Sequence, residues 1–298
     1  MPPYSVKPTS MVNKDHVTIA SFLEDDTNID WKTVQSFGEE WSKFPYFSEN
    51  EIEQIGSDYF DVVTKTMVNH DSVALDVGCG SGRWIKYVAR RVKYVEGIDP
   101  STAVFSASKF LSGLTNVRVT QASVERIPFA DDSFDFVYSL GVLHHVPQTF
   151  SAIQRCHEKI KPGGWFLLYL YYNLDNRSIV YKMIFRVSNL MRYLISHFSG
   201  PIKRLVCDGI TVLVYLPLAT LSFILSKFSE GLADKLPLAY YRKTSFRIMR
   251  NDALDRFGTP LEKRFSRFEI ERMLTESGFT SIQFSPKSPY WHVVAQKK

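Results

Sequence analysis

The stretch richest in chemistry is Leu75-Asp76-Val77-Gly78-Cys79-Gly80-Ser81-Gly82-Arg83-Trp84. An apolar run leads into three glycines spaced by two. Glycine at such a place lets the backbone turn tightly and lets a ligand come close to the main chain. The spacing is not the G-x-G-x-x-G of a pyrophosphate loop, and Asp76 stands two residues before the first glycine. A carboxylate there repels a pyrophosphate and suits a ligand carrying an ammonium. No G-x-x-x-x-G-K-[ST] is present, so a triphosphate loop is unsupported. Asp99, in Gly97-Ile98-Asp99-Pro100, lies 21 residues after Gly78. At a strand end it would accept hydrogen bonds from a ribose diol, the alternative being a helix N-cap.

Further along come Gln121-Ala122-Ser123-Val124-Glu125-Arg126-Ile127-Pro128-Phe129, then Ser139-Leu140-Gly141-Val142-Leu143-His144-His145, then Lys161-Pro162-Gly163-Gly164. Histidine is the natural base near neutral pH. His144 and His145 are therefore base candidates, with a packed or capping role as the alternative. Tyr172 is a lining candidate. Phe37-Gly38-Glu39-Glu40-Trp41 and Tyr59 form an aromatic and acidic stretch ahead of the glycine loop, for which packing on the sheet is one reading. Cys79 reads as a small residue rather than a nucleophile.

The elements that must hold these residues can be read from periodicity. Ser72–Val77, Tyr94–Ile98, Val117–Thr120, Phe134–Leu140 and Trp165–Tyr171 are short apolar runs. They alternate with helical stretches at Arg83–Arg91, Thr102–Leu111 and Ser151–Ile160. That alternation predicts βαβ units and a parallel sheet. The pattern stops at Tyr172. It resumes with a helix at Phe268–Ser277 and strands at Ser281–Ser285 and Trp291–Ala295. Residues 1–30 read as a loose polar arm, without the apolar core of a secretory signal. Residues 31–70 read as one or two short helices.

Read as a whole, the run from Ala74 to Tyr171 resembles the class I S-adenosylmethionine-dependent methyltransferases. Within them it is closest to the small-molecule group that includes the ubiquinone/menaquinone methyltransferases. The resemblance implies an α/β, doubly wound, mainly parallel seven-stranded sheet of Rossmann-like methyltransferase type, with a helical insertion after the fifth strand. It implies S-adenosyl-L-methionine as cofactor. Gly78, Gly80 and Gly82, with Cys79 between them, would bring backbone against its methionine part, with Asp76 near the ammonium. Asp99 would hold the ribose and Pro100 would lie by the adenine. Ser123 stands where the family often has Asp, so adenine contact would fall to its hydroxyl and the Val124 backbone. Leu140 would flank the methionine. The expected divisions are an arm with lid helices (1–70), the cofactor half (71–172), a helical insertion (173–267) and a last helix with C-terminal strands (268–298).

Composition bounds the remaining options. The chain has 298 residues, 45% hydrophobic and 14% aromatic, with a mean hydropathy of −0.13. That composition is globular and excludes disorder and collagen. Three scattered cysteines support neither a disulfide framework nor a zinc site, so no metal is expected and a cytoplasmic, reducing setting fits. Residues 1–172 carry 16 Lys and Arg against 21 Asp and Glu, whereas residues 173–298 carry 20 against 10. The two parts should therefore meet different things.

The basic part contains Gly209–Ser226, 18 residues without a charge. It is long enough to span a bilayer, to pack in a lid or homodimer interface, or to lie in an anionic membrane surface. Arg177, Lys182, Arg186, Arg192, Lys203 and Arg204 precede it, and Arg242, Lys243, Arg247 and Arg250 follow. Asp255 is a further candidate for the acceptor site, a salt bridge being the alternative. The expected acceptor is a small molecule, amphipathic or lipid-linked, or else a soluble sugar or nucleotide-sugar. Nothing suggests a nucleic-acid partner. A non-catalytic, cofactor-binding scaffold at a membrane is the competing class of function.

Overall fold

The computed structural model describes residues 1–43, 48–174 and 179–298. The chain divides into two compact units, residues 1–176 with 261–298, and residues 177–260. Arg177, one of the basic residues noted above, lies outside the described residues.

The first unit opens with β1 (Ser10–Lys14) and β2 (Val17–Ser21). They pair antiparallel across Asp15 and His16, both with positive φ, the geometry that a two-residue hairpin turn requires. Part of the supposed loose arm is thus a hairpin. Its turn lacks glycine, which hid it from a reading based on turn residues. Helices α1 (Trp31–Lys43) and α2 (Glu49–Tyr59) follow, the second opened by a Ser48–Glu51 capping box. Then come β3 (Val73–Val77), α3 (Arg83–Val88), β4 (Tyr94–Asp99), α4 (Ala103–Phe110), β5 (Val117–Gln121), β6 (Phe134–Leu140), α5 (Thr149–Lys159) and β7 (Ile160–Tyr169).

The second unit holds α6 (Ile179–Ser196), α7 (Gly200–Ile210), α8 (Leu216–Ser226), α9 (Glu230–Ala233) and α10 (Phe246–Gly258). A π-helical turn, Thr211–Tyr215, joins α7 to α8, so Gly200–Ser226 is one unbroken helix. Ile195, Cys207, Tyr215, Ala219, Met249, Ala253 and Phe257 form its core.

The chain then returns to the first unit through α11 (Arg267–Glu276), β8 (Phe279–Phe284) and β9 (His292–Lys297). Among the described residues, the sheet has nine strands in the order β1-β2-β5-β4-β3-β6-β7-β9-β8. The seven expected strands are present, and β1 and β2 extend the sheet beyond β5. Strands β2, β5, β4, β3, β6 and β7 run parallel. β1, β8 and β9 pair antiparallel. β7 starts earlier than the sequence suggests: the Pro162-Gly163-Gly164 turn is absorbed as an irregularity where β7 pairs with β6.

Central strands buried on both faces read as continuous apolar runs. One face packs against α5 and α11, through Ile153, Cys156, Ile270 and Leu274. The other packs against α2 and α3, through Ile52, Trp84, Ile85 and Val88. From β3 the chain moves outward to β4 and β5, then crosses to β6 and β7 on the other side. This reversal leaves a crevice at the carboxyl ends of β3 and β6, the usual ligand position in open α/β sheets.

Candidate functional site

Two facing residues mark that crevice. Asp76 on β3 pairs in register with Tyr138 on β6. The Asp76 carboxylate is fully buried, and neither oxygen has a hydrogen-bond partner. The Tyr138 hydroxyl stands beside it, likewise without a partner at full hydrogen-bond geometry, and its nearness moderates the rise of the Asp76 pKa. Burial, and next the charge of Asp99, push the Asp76 carboxyl well above the usual carboxylate range. An unpaired buried carboxylate is costly unless a cation or donor meets it.

The glycine loop begins two residues on. Gly78, Gly80 and Gly82 all have positive φ. A Cβ on Gly78 would stand 2.4 Å from the Val142 side chain, so close packing excludes one. Gly80 differs: its nearest neighbour would be the Trp41 indole at 3.6 Å. At Gly80 the missing side chain therefore leaves room. Cys79 is buried among these residues, and burial raises its thiol well above the ordinary value. It is held in the protonated form, as suits a small packing residue.

Asp99 ends β4 and fastens the loop. Its carboxylate accepts the Gly80 backbone N–H at 3.0 Å, the Ser101 N–H at 2.8 Å and the Ser101 hydroxyl at 2.6 Å. The Gln121 amide donates to the Pro100 carbonyl. Ser123 and Val124 are buried after β5, with Ser123 beside the Asp26 carboxylate. Leu140 is buried at the end of β6.

The two histidines differ. The Tyr171 backbone N–H donates to His144 Nδ1 at 3.4 Å, and the ring stacks on Tyr171 with 3.8 Å between centroids. Its lone pair is thereby occupied, and burial holds its pKa well below the ordinary value. His145 Nδ1 lies 2.6 Å from the Leu261 carbonyl, which fixes Nδ1 as the donor and leaves the lone pair on Nε2. Phe37 packs on His145 at 4.9 Å. Of the two, only His145 has the tautomer that leaves Nε2 as the basic nitrogen.

Tyr172 bridges to Phe265 and packs near Tyr290 and Trp291. Tyr59 meets Trp84 at 5.0 Å and Tyr169 at 5.1 Å. Asp255 belongs to the second unit, where its carboxylate accepts from Thr259 at 3.4 Å. Three neighbours escape a motif-based reading: Tyr138, Arg83 and Tyr171. The Arg83 guanidinium lies over Trp41 at 5.2 Å and over Trp84 at 4.5 Å, and its charge opposes the rise of the Asp76 pKa. Its place at the first helical residue after the glycines was the available signal.

Residues 75–168 match a family described as a methyltransferase domain. The chain is 32% identical over 100 residues to a tRNA U34 carboxymethyltransferase of Desulfotalea psychrophila, covering 32% of this chain and 31% of that one. It is 34% identical over 113 residues to a ubiquinone biosynthesis O-methyltransferase of Alkalilimnicola ehrlichii, covering 37% and 45%. A ubiquinone biosynthesis O-methyltransferase of Leptothrix cholodnii is 30% identical over 148 residues, covering 47% and 63%. The chain thus spans less than half the length of the first two relatives.

Proposed function

We propose, from the premise that residues 75–168 are a class I S-adenosylmethionine-dependent methyltransferase domain, that the protein methylates a small amphipathic acceptor. The observation that carries the cofactor side of this reading is the buried, partnerless carboxylate of Asp76 beside the loop that Asp99 fastens. A ligand ammonium would complete Asp76, and the opening at Gly80 would admit ligand against the backbone. The residues present therefore fit S-adenosylmethionine.

When bound, that cofactor supplies an electrophilic methyl group on a sulfonium. The protein's part is to place and enclose. Asp76 would orient the amino-acid end, and Asp99 would accept from ribose hydroxyls while holding Gly80. Trp41 and Arg83, stacked beside the loop, would exclude water from it. An in-line displacement gains chiefly from holding nucleophile and electrophile at near-attack distance. For a hydroxyl acceptor, His145 Nε2 would take the proton.

The likenesses to the ubiquinone and tRNA enzymes cover only 37% and 32% of this chain, so neither names the acceptor; the amphipathic acceptor rests on the apolar and basic composition of residues 177–260. The test is calorimetric titration with S-adenosylhomocysteine, followed by S-adenosylhomocysteine release from S-adenosylmethionine in the presence of a lipid extract and of a soluble extract. Binding with turnover in the lipid extract supports the reading. Turnover only in the soluble extract moves the acceptor to a sugar or nucleotide-sugar. Binding without turnover in either makes the protein a cofactor-binding scaffold.

A further inference from the structure

In the second unit the usual rule of burial is inverted. Among the described residues, 22 of the 27 exposed large hydrophobic side chains lie between Ile179 and Phe246. They are not scattered. On α6, Ile179, Met183, Val187, Leu190 and Leu194 recur at intervals of three and four, which places them on one face, and Phe198 is exposed just past the helix end. The buried residues of the same helix, Arg192, Ile195 and Ser196, occupy the opposite side.

The Gly200–Ser226 helix repeats the arrangement. Cys207, Thr211, Tyr215, Ala219 and Ser222 are buried on one side. On the other, Leu205 is 73% and Leu213 77% exposed, with Leu216 and Phe223 beside them on the helix surface. Only 22% of its most apolar window is buried. Scattered apolar residues are normal on a surface, but a continuous outward face on two long helices is not.

Charge identifies what covers it. Residues 177–260 carry thirteen Lys and Arg against five Asp and Glu. Between Ile179 and Lys227 there are six basic residues and one acid, Asp208, which Arg250 neutralises in a two-bond pair. Lys182 and Arg186 border the apolar stripe of α6, and Lys227 closes the helix end. A second copy would bring like charges together across the contact, whereas anionic headgroups would be complementary. Not every flanking basic residue serves this role. Arg242 is tied to Glu230 and Asp234, and Arg192 is buried, donating to the Thr259 and Pro260 carbonyls.

Gly200–Ser226 has the length and composition to cross a bilayer. Its packing argues for lying in the surface instead. α10 packs against α7 and carries Arg247, Arg250, Asp252, Asp255 and Arg256. A spanning helix would draw those charges into hydrocarbon. We propose that the outward faces of α6 and of Gly200–Ser226 form a monotopic membrane-binding surface for anionic bilayers. The proposal stands independently of the methyl-transfer reading.

The test is flotation of the purified full-length protein with phosphatidylcholine vesicles, and with phosphatidylcholine–phosphatidylglycerol vesicles, at low and high salt. The protein should float with the anionic vesicles, at least tenfold more tightly than with the neutral ones at low salt, with the difference shrinking in high salt. The variant Leu205→Glu/Leu213→Glu should lose at least tenfold in vesicle binding. Both positions face outward, so its circular dichroism and melting should match the wild type. Val6→Glu, an exposed position in the first unit, should float unchanged. A wild type that stays unbound to either vesicle overturns the proposal. So does a discrete soluble oligomer that the double variant dissociates, since a second copy would then cover the face.

Discussion

The Gly80 backbone N–H donates to Asp99 Oδ2 at 3.0 Å, so the residue expected to grip the ribose also holds the glycine loop in shape. A ligand then meets a loop already formed, and less ordering entropy is lost on binding. Asp99→Ala removes both roles. It should weaken S-adenosylhomocysteine by more than tenfold, and it should destabilise the ligand-free protein by about 1–3 kcal/mol through the donors left without an acceptor. Titration calorimetry and thermal melting read the two effects separately.

Asp76→Asn should act with opposite signs on the two. The native carboxyl is raised by burial, so its contribution to stability is complete at acid pH and is lost as pH rises. Ligand-free Asp76→Asn should therefore gain in melting temperature relative to wild type between pH 5 and pH 8. In saturating S-adenosylhomocysteine the order should reverse, because only the wild type keeps the charge for an ammonium. A variant that binds as tightly as wild type would remove Asp76 from the site.

Gly80→Ala and Gly78→Ala separate room from strain. Both glycines have positive φ. Each substitution should cost about 1–2 kcal/mol from that cause. Gly78→Ala adds a clash with Val142 and should destabilise by roughly 1–3 kcal/mol more. Gly80→Ala has space for its methyl group beside Trp41 and should fold, yet lose ligand affinity.

His145→Gln should lower kcat for a hydroxyl acceptor by about 10²-fold or more. His144→Gln should leave kcat within about threefold of wild type. Burial already keeps His144 neutral across the working range, and its Nδ1 accepts the Tyr171 N–H.

A buried ion pair away from the crevice gives a stability prediction. Glu96 is fully buried, 2.9 Å from the Arg118 guanidinium, and it accepts from Thr120. The Tyr4 ring covers Arg118 at 4.1 Å, and the Pro2 carbonyl accepts from the same guanidinium. Burial outweighs Arg118 and pushes the Glu96 carboxyl up to about 7. Its contribution is therefore fully present below the unfolded value near 4.5 and is lost as pH rises through about 7, roughly 3 kcal/mol over the whole interval. Denaturation at a series of pH values should show a smaller decline from pH 5 to pH 8 for Glu96→Gln than for the wild type.

The sequence was most informative where local chemistry and long-range order coincide. Asp76, the glycines and Asp99 sit at strand ends, and the switch from apolar strand to glycine is visible in a single chain. The β1–β2 hairpin was not visible, because Asp15 and His16 adopt positive φ without glycine and its strands are short and polar. Tyr138 could not be picked from other tyrosines, since its relation to Asp76 exists only through the pairing of β3 with β6. The distinction between His144 and His145 depends on which backbone groups they meet, Tyr171 N–H and the Leu261 carbonyl. The second of these lies more than a hundred residues away. The apolar run at Gly209–Ser226 was plain, but the direction it faces depends on tertiary packing: α10 lies on its first turns, and α9 with the Ala239–Lys243 turn lies on α8.

The sheet ends in an antiparallel hairpin on each side, β1–β2 at one margin and β9–β8 at the other. Among the described residues, only the outer rims of β1 and β8 are left open, five and six residues long. Short rims give a foreign strand little to pair with, and Lys14 on β1 adds a charge against it. The long parallel strands that would template aggregation are all interior. A preparation that clumps should therefore do so through the greasy helices of the second unit, and mild detergent, rather than a change in the sheet, is the remedy to try first.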